Sequence, residues 1–132
     1  MKTRTTLTIG ATLVATCLAL ASPAPGASQA DGHQLLKYCS IALRDDPEDT
    51  SRTEIFGGAY CLGLVQGVLG VGALYQAKTG QSALGCIPVD GKTNQDFVRV
   101  VVTFLRDNPS MLDAPDSALA IMALSAAFPC GG

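Results

Sequence analysis

The sequence predicts an all-α protein, a small bundle of about four helices that form two helical hairpins cross-linked by two disulfides. Three observations support this fold class. The chain has 132 residues, 48% hydrophobic and 15% charged, which is typical of a single folded domain and unlike a disordered segment. Helix start and stop residues divide it into four segments. Four cysteines follow an N-terminal segment that is typical of export.

The N-terminus, residues 1–30, is typical of a secretory signal peptide. A positively charged start precedes residues 7–20, which are apolar and carry no charge, and small residues follow. Two small-x-small cleavage sites compete, one ending at Ala21 and one at Ala30, and the second is favoured because a polar sequence begins directly after it. We therefore predict cleavage after Ala30, a single mature domain over residues 31–132 and a periplasmic location.

The first helix is predicted over residues 33–44. Leu36, Cys39 and Leu43 recur there at helical spacing, so they should form its buried face. The acidic residues 45–49 contain a proline, and we expect them to end the helix in a solvated loop.

The second helix is predicted from the capping box of Ser51 and Glu54 to about Lys78, with Gly80 as a left-handed C-terminal cap. Residues 55–75 carry no charge and are long enough to span a bilayer. Each interior glycine among them costs about 1 kcal/mol of helix stability relative to alanine. The many glycines therefore favour close backbone contact with neighbouring helices, and we expect no membrane span.

Residues 80–93 are predicted to be irregular because they contain glycines and a proline at loop spacing. Residues 97–105 are rich in valine, so they could form either a buried strand or a helix. The N-terminal cap formed by Thr93 and Asp96 and the apolar residues on one helical face favour a third helix.

The fourth helix is predicted to run to about Phe128, where the following proline stops it. Its start is predicted from Asp113 as the cap, Pro115 as an early helical proline and Asp116 as a first-turn carboxylate. Helices three and four should form the second hairpin about residues 110–114.

The cysteines of the mature domain are an even number in a short exported chain, which predicts two disulfides with three alternative connectivities. The hairpin layout places Cys39 level with Cys61, and it brings Cys86 near Cys130. It therefore favours these two pairs. A zinc site is disfavoured because no two cysteines have C-x-x-C spacing.

Composition argues against several function classes. The single histidine, His33, lies near the start of the first helix and is expected to be solvated, so it supplies neither a multi-histidine metal site nor a base for a cysteine nucleophile. We expect no enzyme activity, no metal and no cofactor. The net charge of -2 without a basic stripe also argues against nucleic acid as a partner.

Four motifs in order resemble those of the Rap/Tai immunity protein family over about residues 33–130. Residues 57–67 are similar to the family's C-x-G-[YF]-[IV]-x-G core, and residues 86–88 to its C-I-P motif. Residues 98–109 match the V-V-x-[YF]-L-x-x-x-P pattern, and residues 123–130 match A-L-x-x-A-F-P-C. Four cysteines in register make the resemblance specific.

The resemblance implies an inhibitor rather than an enzyme. Members of this family are periplasmic proteins that bind a peptidoglycan amidase delivered by type VI secretion and block its active-site cleft, often as a homodimer. Two other functions remain open from the residues alone: a periplasmic stress chaperone, and an envelope interaction module with no toxin partner.

The matching motifs consist mainly of glycines, prolines, cysteines and valines, which reflect packing and cross-links rather than partner recognition. Candidate partner contacts must therefore come from the two longest predicted loops, residues 80–93 and 107–116. The predicted partner-binding residues in these loops are Gln81, Asp90, Lys92, Asp107, Met111 and Asp113.

Overall fold

The computed structural model describes residues 30–45, 51–82, 84–88 and 90–130. In these segments the chain forms four α-helices and no strand: α1 (Gly32–Ala42), α2 (Arg52–Thr79), α3 (Asn94–Asp107) and α4 (Asp116–Ala127). A 3-10 turn, Pro109–Met111, lies between α3 and α4. The all-α prediction of about four helices is confirmed. The predicted signal peptide lies outside the described residues except for Ala30.

Two of the three predicted N-terminal caps form capping boxes. Ser51 Oγ accepts a hydrogen bond from the Glu54 N–H at 3.3 Å, and the Glu54 carboxylate accepts one from the Ser51 N–H at 3.1 Å. Thr93 and Asp96 make the same reciprocal pair, at 3.3 and 2.8 Å. Gly80 ends α2 with φ 70°, in the left-handed region as predicted. Local sequence signals therefore define these helix ends.

The predicted start of α4 is right at Asp116, the acidic residue of the first turn, but wrong at its cap. Asp113 does not cap this helix, which begins at Asp116 with Pro115 as its N-cap residue and no side-chain cap. The backbone turns before the helix starts, since the Ala114 N–H donates to the Met111 carbonyl at 2.9 Å. This turn places Asp113 outside the helix, with an exposed side chain.

The core lies where the inward faces of the four helices meet. In α1 the buried residues are Gly32, Leu35 and Cys39, whereas the predicted Leu36 and Leu43 are only half-buried. The valine-rich segment is helical, and it buries one face against the other helices. The side chains that are almost fully buried are Leu35, Cys39, Cys61, Val65, Val98, Val101, Leu105, Leu119 and Leu124.

Both favoured disulfides are present. Cys39–Cys61 joins α1 to α2 with a Cα–Cα distance of 5.1 Å, and Cys86–Cys130 joins the segment after α2 to the end of α4 with a Cα–Cα distance of 4.8 Å. The first bridge is completely buried, whereas both cysteines of the second are exposed. On the chain-entropy model each bridge contributes about 3 to 4 kcal/mol to the free energy of unfolding.

Burial along α2 is uneven. Its buried residues are Gly57, Gly58, Cys61, Val65 and Val68, and none of residues 69–79 is buried. By length and composition alone α2 could cross a membrane, and 28% of its most apolar window is buried in the protein.

The glycines of α2 serve two different surroundings. A Cβ at Gly57 would overlap the Tyr38 ring, so the expected close helix contact occurs there, between α1 and α2. At Gly63, Gly67 and Gly70 a Cβ would meet no atom within 4 Å. The prediction that the glycines of this helix serve internal packing is therefore wrong for these three positions, which face outward.

Candidate functional site

The segment 107–116 is held against the start of α1 by backbone hydrogen bonds. The Gly32 N–H donates to the Leu112 carbonyl at 2.8 Å and to the Ala114 carbonyl at 3.2 Å. The Asp116 N–H donates to the Ala30 carbonyl at 3.0 Å. Residue 32 must be small, because a Cβ there would overlap the Leu119 side chain and the Leu112 backbone. This loop is therefore fixed by the fold, although it lies at the surface.

Three of the predicted partner-binding residues lie in this segment. Asp107 and Asp113 are exposed, whereas Met111 is half-buried and packs against the core. Asp113 faces the exposed His33, with 3.5 Å between His33 Nε2 and Asp113 Oδ1. Asp107 and Asp113 are therefore exposed acids of this segment, and the half-buried Met111 is partly accessible.

Asp107 also borders a shallow groove of about 410 Å³ between α3 and α4. Arg99, Thr103 and Asp107 follow one another at four-residue spacing along the α3 side of the groove. Ala123, Ala126 and Ala127 line its α4 side. Arg99 forms an ion pair with Asp96 at 3.1 Å and was not among the predicted residues. Its sequence signal was a polar residue every fourth position within an apolar segment.

The other three predicted residues, Gln81, Asp90 and Lys92, are all exposed. They flank the segment that Cys86–Cys130 ties to the end of α4. Because α3 has 14 residues, it separates this loop from segment 107–116 by about 21 Å. The six predicted residues therefore form two groups at opposite ends of the α3–α4 hairpin.

A third surface is the outer side of α2, which we call the glycine face: Gly63, Gly67 and Gly70, with the exposed side chains of Phe56, Val71 and Leu74. Helical spacing places these residues on one side of α2. Next to them is an apolar groove of about 360 Å³, which Leu84 and Ile121 also line. The residues of the glycine face carry no charge.

One buried acid joins two helices. Asp116 is 5% exposed, and its Oδ2 accepts a hydrogen bond from the Tyr60 hydroxyl at 2.5 Å while its Oδ1 accepts one from the Ser117 N–H at 2.6 Å. The hydrogen bond to Asp116, together with burial, raises the pKa of Tyr60 to about 12. Both carboxylate oxygens are satisfied within the protein, so the pair serves to hold α2 against α4.

The described segments contain no cluster of side chains that could bind a metal ion. There, no group of three or more histidine, cysteine, aspartate or glutamate side chains lies close enough to hold an ion. The four cysteines of these segments are all consumed in disulfides.

In the described segments, four helices cross-linked by two disulfides define a small disulfide-linked helical protein. The family model of the Rap1a immunity proteins matches residues 31–130. The chain therefore belongs to the Rap1a immunity protein family, which confirms the resemblance seen in its motifs. Comparisons with curated proteins and with solved structures gave no match.

Family membership indicates an immunity protein for a secreted toxin, with a toxin effector as its binding partner. Immunity proteins are typically inhibitors rather than enzymes. The two disulfides are consistent with an exported protein in an oxidising compartment.

Proposed function

We propose that this protein is a periplasmic immunity protein that binds a peptidoglycan amidase delivered by type VI secretion and inhibits it by occluding its active-site cleft. The observation that carries the proposal is the family match, which spans nearly all of the described chain. Two disulfides and a fixed surface loop support it, since a binding surface that is already ordered loses less entropy when it docks.

Of the two groups of predicted contacts, we propose that Asp107, Met111 and Asp113 enter the amidase and that Gln81, Asp90 and Lys92 lie outside the interface. A single cleft can receive only one end of the α3–α4 hairpin. The backbone hydrogen bonds of Gly32 hold segment 107–116 in place. Two exposed aspartates there would complement a basic cleft rim and accelerate association.

The test is inhibition of peptidoglycan cleavage by a Cys/His amidase encoded beside this protein, using the purified oxidised chain. We expect one-to-one inhibition. Replacing both aspartates, Asp107→Arg with Asp113→Arg, should weaken binding by at least about tenfold because like charges would face the cleft rim. The matched control, Asp90→Arg at the opposite end, should bind as the unaltered protein does.

Absence of binding to any neighbouring amidase would contradict the proposed function. If the same protein then suppressed aggregation of unfolded client proteins, a stress-chaperone function would replace the proposed inhibitory function. If Asp90→Arg weakened binding as much as the double variant did, the proposed inhibitory function would stand. Only the proposed placement of the contact surface would be contradicted.

We also propose that the protein forms a homodimer through the glycine face of α2. Exposed glycines allow two helix backbones to approach closely, and Phe56 and Leu74 would fill the space where crossing helices diverge. Sedimentation of the oxidised protein should show a dimer, and Gly67→Leu should shift it to a monomer. A dimer that survives Gly67→Leu would exclude this face.

A further inference from the structure

The two disulfides differ in whether a reductant can reach them. Cys39 and Cys61 are 0% exposed, whereas Cys86 and Cys130 are both exposed. Thiol–disulfide exchange requires a thiolate to contact one of the two sulfurs. A reductant in solution can therefore attack Cys86–Cys130 in the folded protein, but Cys39–Cys61 only after the surrounding helices separate.

The exposed bridge fixes residues 84–88 against the end of α4. The Cys86 N–H donates to the Phe128 carbonyl at 2.8 Å. Gly85 adopts φ 84° and lies so close to the same carbonyl that a Cβ would overlap it. Leu84 and Ile87 then point inward and pack against the core. The Cys86–Cys130 bond is the covalent part of this attachment.

The same segment covers one side of the C-terminal half of α2, residues 69–79. Leu69, Gly72 and Ala73 face Leu84 and Ile87 across a small cavity of about 40 Å³. A Cβ at Gly72 would lie 2.8 Å from Leu84 Cδ1, so the two segments are in direct contact. No residue of this half of α2 is buried, so it has little other support.

We propose that Cys86–Cys130 is a redox latch. Its reduction by a dithiol, either a small molecule or the active-site dithiol of an oxidoreductase, releases residues 84–88 and with them the C-terminal half of α2. The rest of the bundle stays folded around Cys39–Cys61. This inference does not depend on the proposed inhibition of an amidase.

The exchange balances as a two-electron reduction. A thiolate of the reductant attacks Cys130 Sγ, the S–S bond breaks, and Cys86 leaves as a thiolate. Ser82 Oγ lies 3.7 Å from Cys86 Sγ, close enough to donate a weak hydrogen bond to that leaving thiolate. The second thiol of the reductant then displaces Cys130. The protein gains two thiols, with the two protons of the dithiol, and the reductant becomes a disulfide.

The first test reduces the purified oxidised full chain with dithiothreitol under native conditions, quenches at intervals with N-ethylmaleimide and locates the alkylated cysteines by mass spectrometry. We expect Cys86 and Cys130 to be alkylated about 100-fold faster than Cys39 and Cys61, because only their bridge is accessible in the folded state. Similar rates for the two bridges would overturn the proposal.

The second test measures hydrogen exchange in the species that has lost only Cys86–Cys130. Amides of residues 69–79 and 84–88 should exchange at least about tenfold faster than in the oxidised protein, with α3 unchanged. The double variant Cys86→Ser with Cys130→Ser should give the same pattern without reductant. Opening of the bridge with unchanged exchange in residues 69–79 would contradict the latch.

A further variant keeps both disulfides, so its result does not depend on whether the double cysteine variant folds correctly. Leu84→Ala removes the contact over Gly72 and should also accelerate exchange in residues 69–79. The matched control, Tyr75→Ala, alters an exposed side chain of the same helix outside the glycine face and should not. Unchanged exchange in Leu84→Ala would show that residues 84–88 do not support this half of α2, and would overturn the proposal.

Discussion

The two halves of α2 have similar apolar, glycine-containing sequences but differ in burial. Residues 52–68 contain every buried residue of the helix, whereas in residues 69–79 Val71 is 66% exposed and Leu74 is 60% exposed. Helix length explains the difference. With 28 residues α2 extends about 42 Å, but α1, with 11, extends only about 16 Å. The apolar character of a helix therefore does not determine its burial; the length of its neighbours does.

The largest predicted effect comes from placing the same charge in each half. Val65→Asp puts a carboxylate at a position with no exposure and should lower the free energy of unfolding by at least about 4 kcal/mol. Val71→Asp, in the other half, should change it by less than about 0.5 kcal/mol. Denaturant unfolding of monomeric protein at low concentration would measure both. Equal losses would mean that the C-terminal half is packed after all.

The next prediction concerns the hydrogen bond that joins residues 52–68 of α2 to α4. Tyr60→Phe removes the hydrogen bond to the buried Asp116 and should cost about 1 to 3 kcal/mol, because the carboxylate loses a donor. Tyr75→Phe, in the exposed half, should cost nothing measurable.

The pH dependence gives a second readout for Tyr60. Its pKa is raised above the ordinary value of 10 to about 12, so the protonated phenol stabilises the folded state fully below pH 10. That stabilisation is lost as the pH rises from 10 through about 12. Thermal unfolding between pH 9 and 12 should show a smaller decline for Tyr60→Phe. An unchanged decline would contradict the Tyr60–Asp116 assignment.

Replacing an inner and an outer glycine of α2 by alanine should change the free energy of unfolding in opposite directions. Gly57→Ala forces the Tyr38 ring to move and should destabilise the protein by about 1 to 3 kcal/mol. Gly67→Ala adds a methyl group in open space and should stabilise the monomer by about 0.5 to 1 kcal/mol through helix propensity. Chemical denaturation at concentrations that keep the protein monomeric separates them. The same sign for both would refute the contrast between the inner and outer glycines.

The smallest effect concerns the exposed start of α2. Hydrogen bonds from the Arg44 side chain and from Ser51 lower the pKa of Glu54 from 4.5 to about 2. The stabilisation by the ionised carboxylate is therefore present above pH 4.5 and is lost as the pH falls through about 2. Glu54→Gln should show a smaller drop in melting temperature between pH 5 and 2. Arg44→Gln should also show a smaller drop. If both variants lost as much melting temperature as the unaltered protein, Arg44 would not be a cause of the lowered Glu54 pKa.

Much of the fold could be predicted because helix ends depend on local chemistry. The capping boxes at Ser51 and Thr93 and the left-handed Gly80 are each determined within a few residues. The disulfide pairs followed from the hairpin layout, which brings Cys39 beside Cys61 and Cys86 near Cys130. The outward orientation of Gly63, Gly67 and Gly70 could not be predicted in this way, because it depends on which side of α2 the other helices pack against.

The candidate site was less predictable. Loop polarity identified exposed residues such as Asp107 and Asp113, but it could not show that they lie at the opposite end of a hairpin from Asp90. It also missed the hydrogen bond of Tyr60 to Asp116, since the two residues are 56 positions apart in the chain. Contacts of this kind arise from the crossing of helices and leave no local signal.

The hydrogen bonds around Ala30 affect how the predicted signal peptide would be removed. In the folded protein the Ala30 carbonyl is engaged by the Asp116 N–H, and Gly32 is held by the turn before α4. A peptidase needs an exposed, extended segment around the bond it cuts. If the leader ends at Ala30, its removal must precede the closing of α4 onto α1. Maturation would then be a competition between two rates, and a chain that folds first would keep its leader.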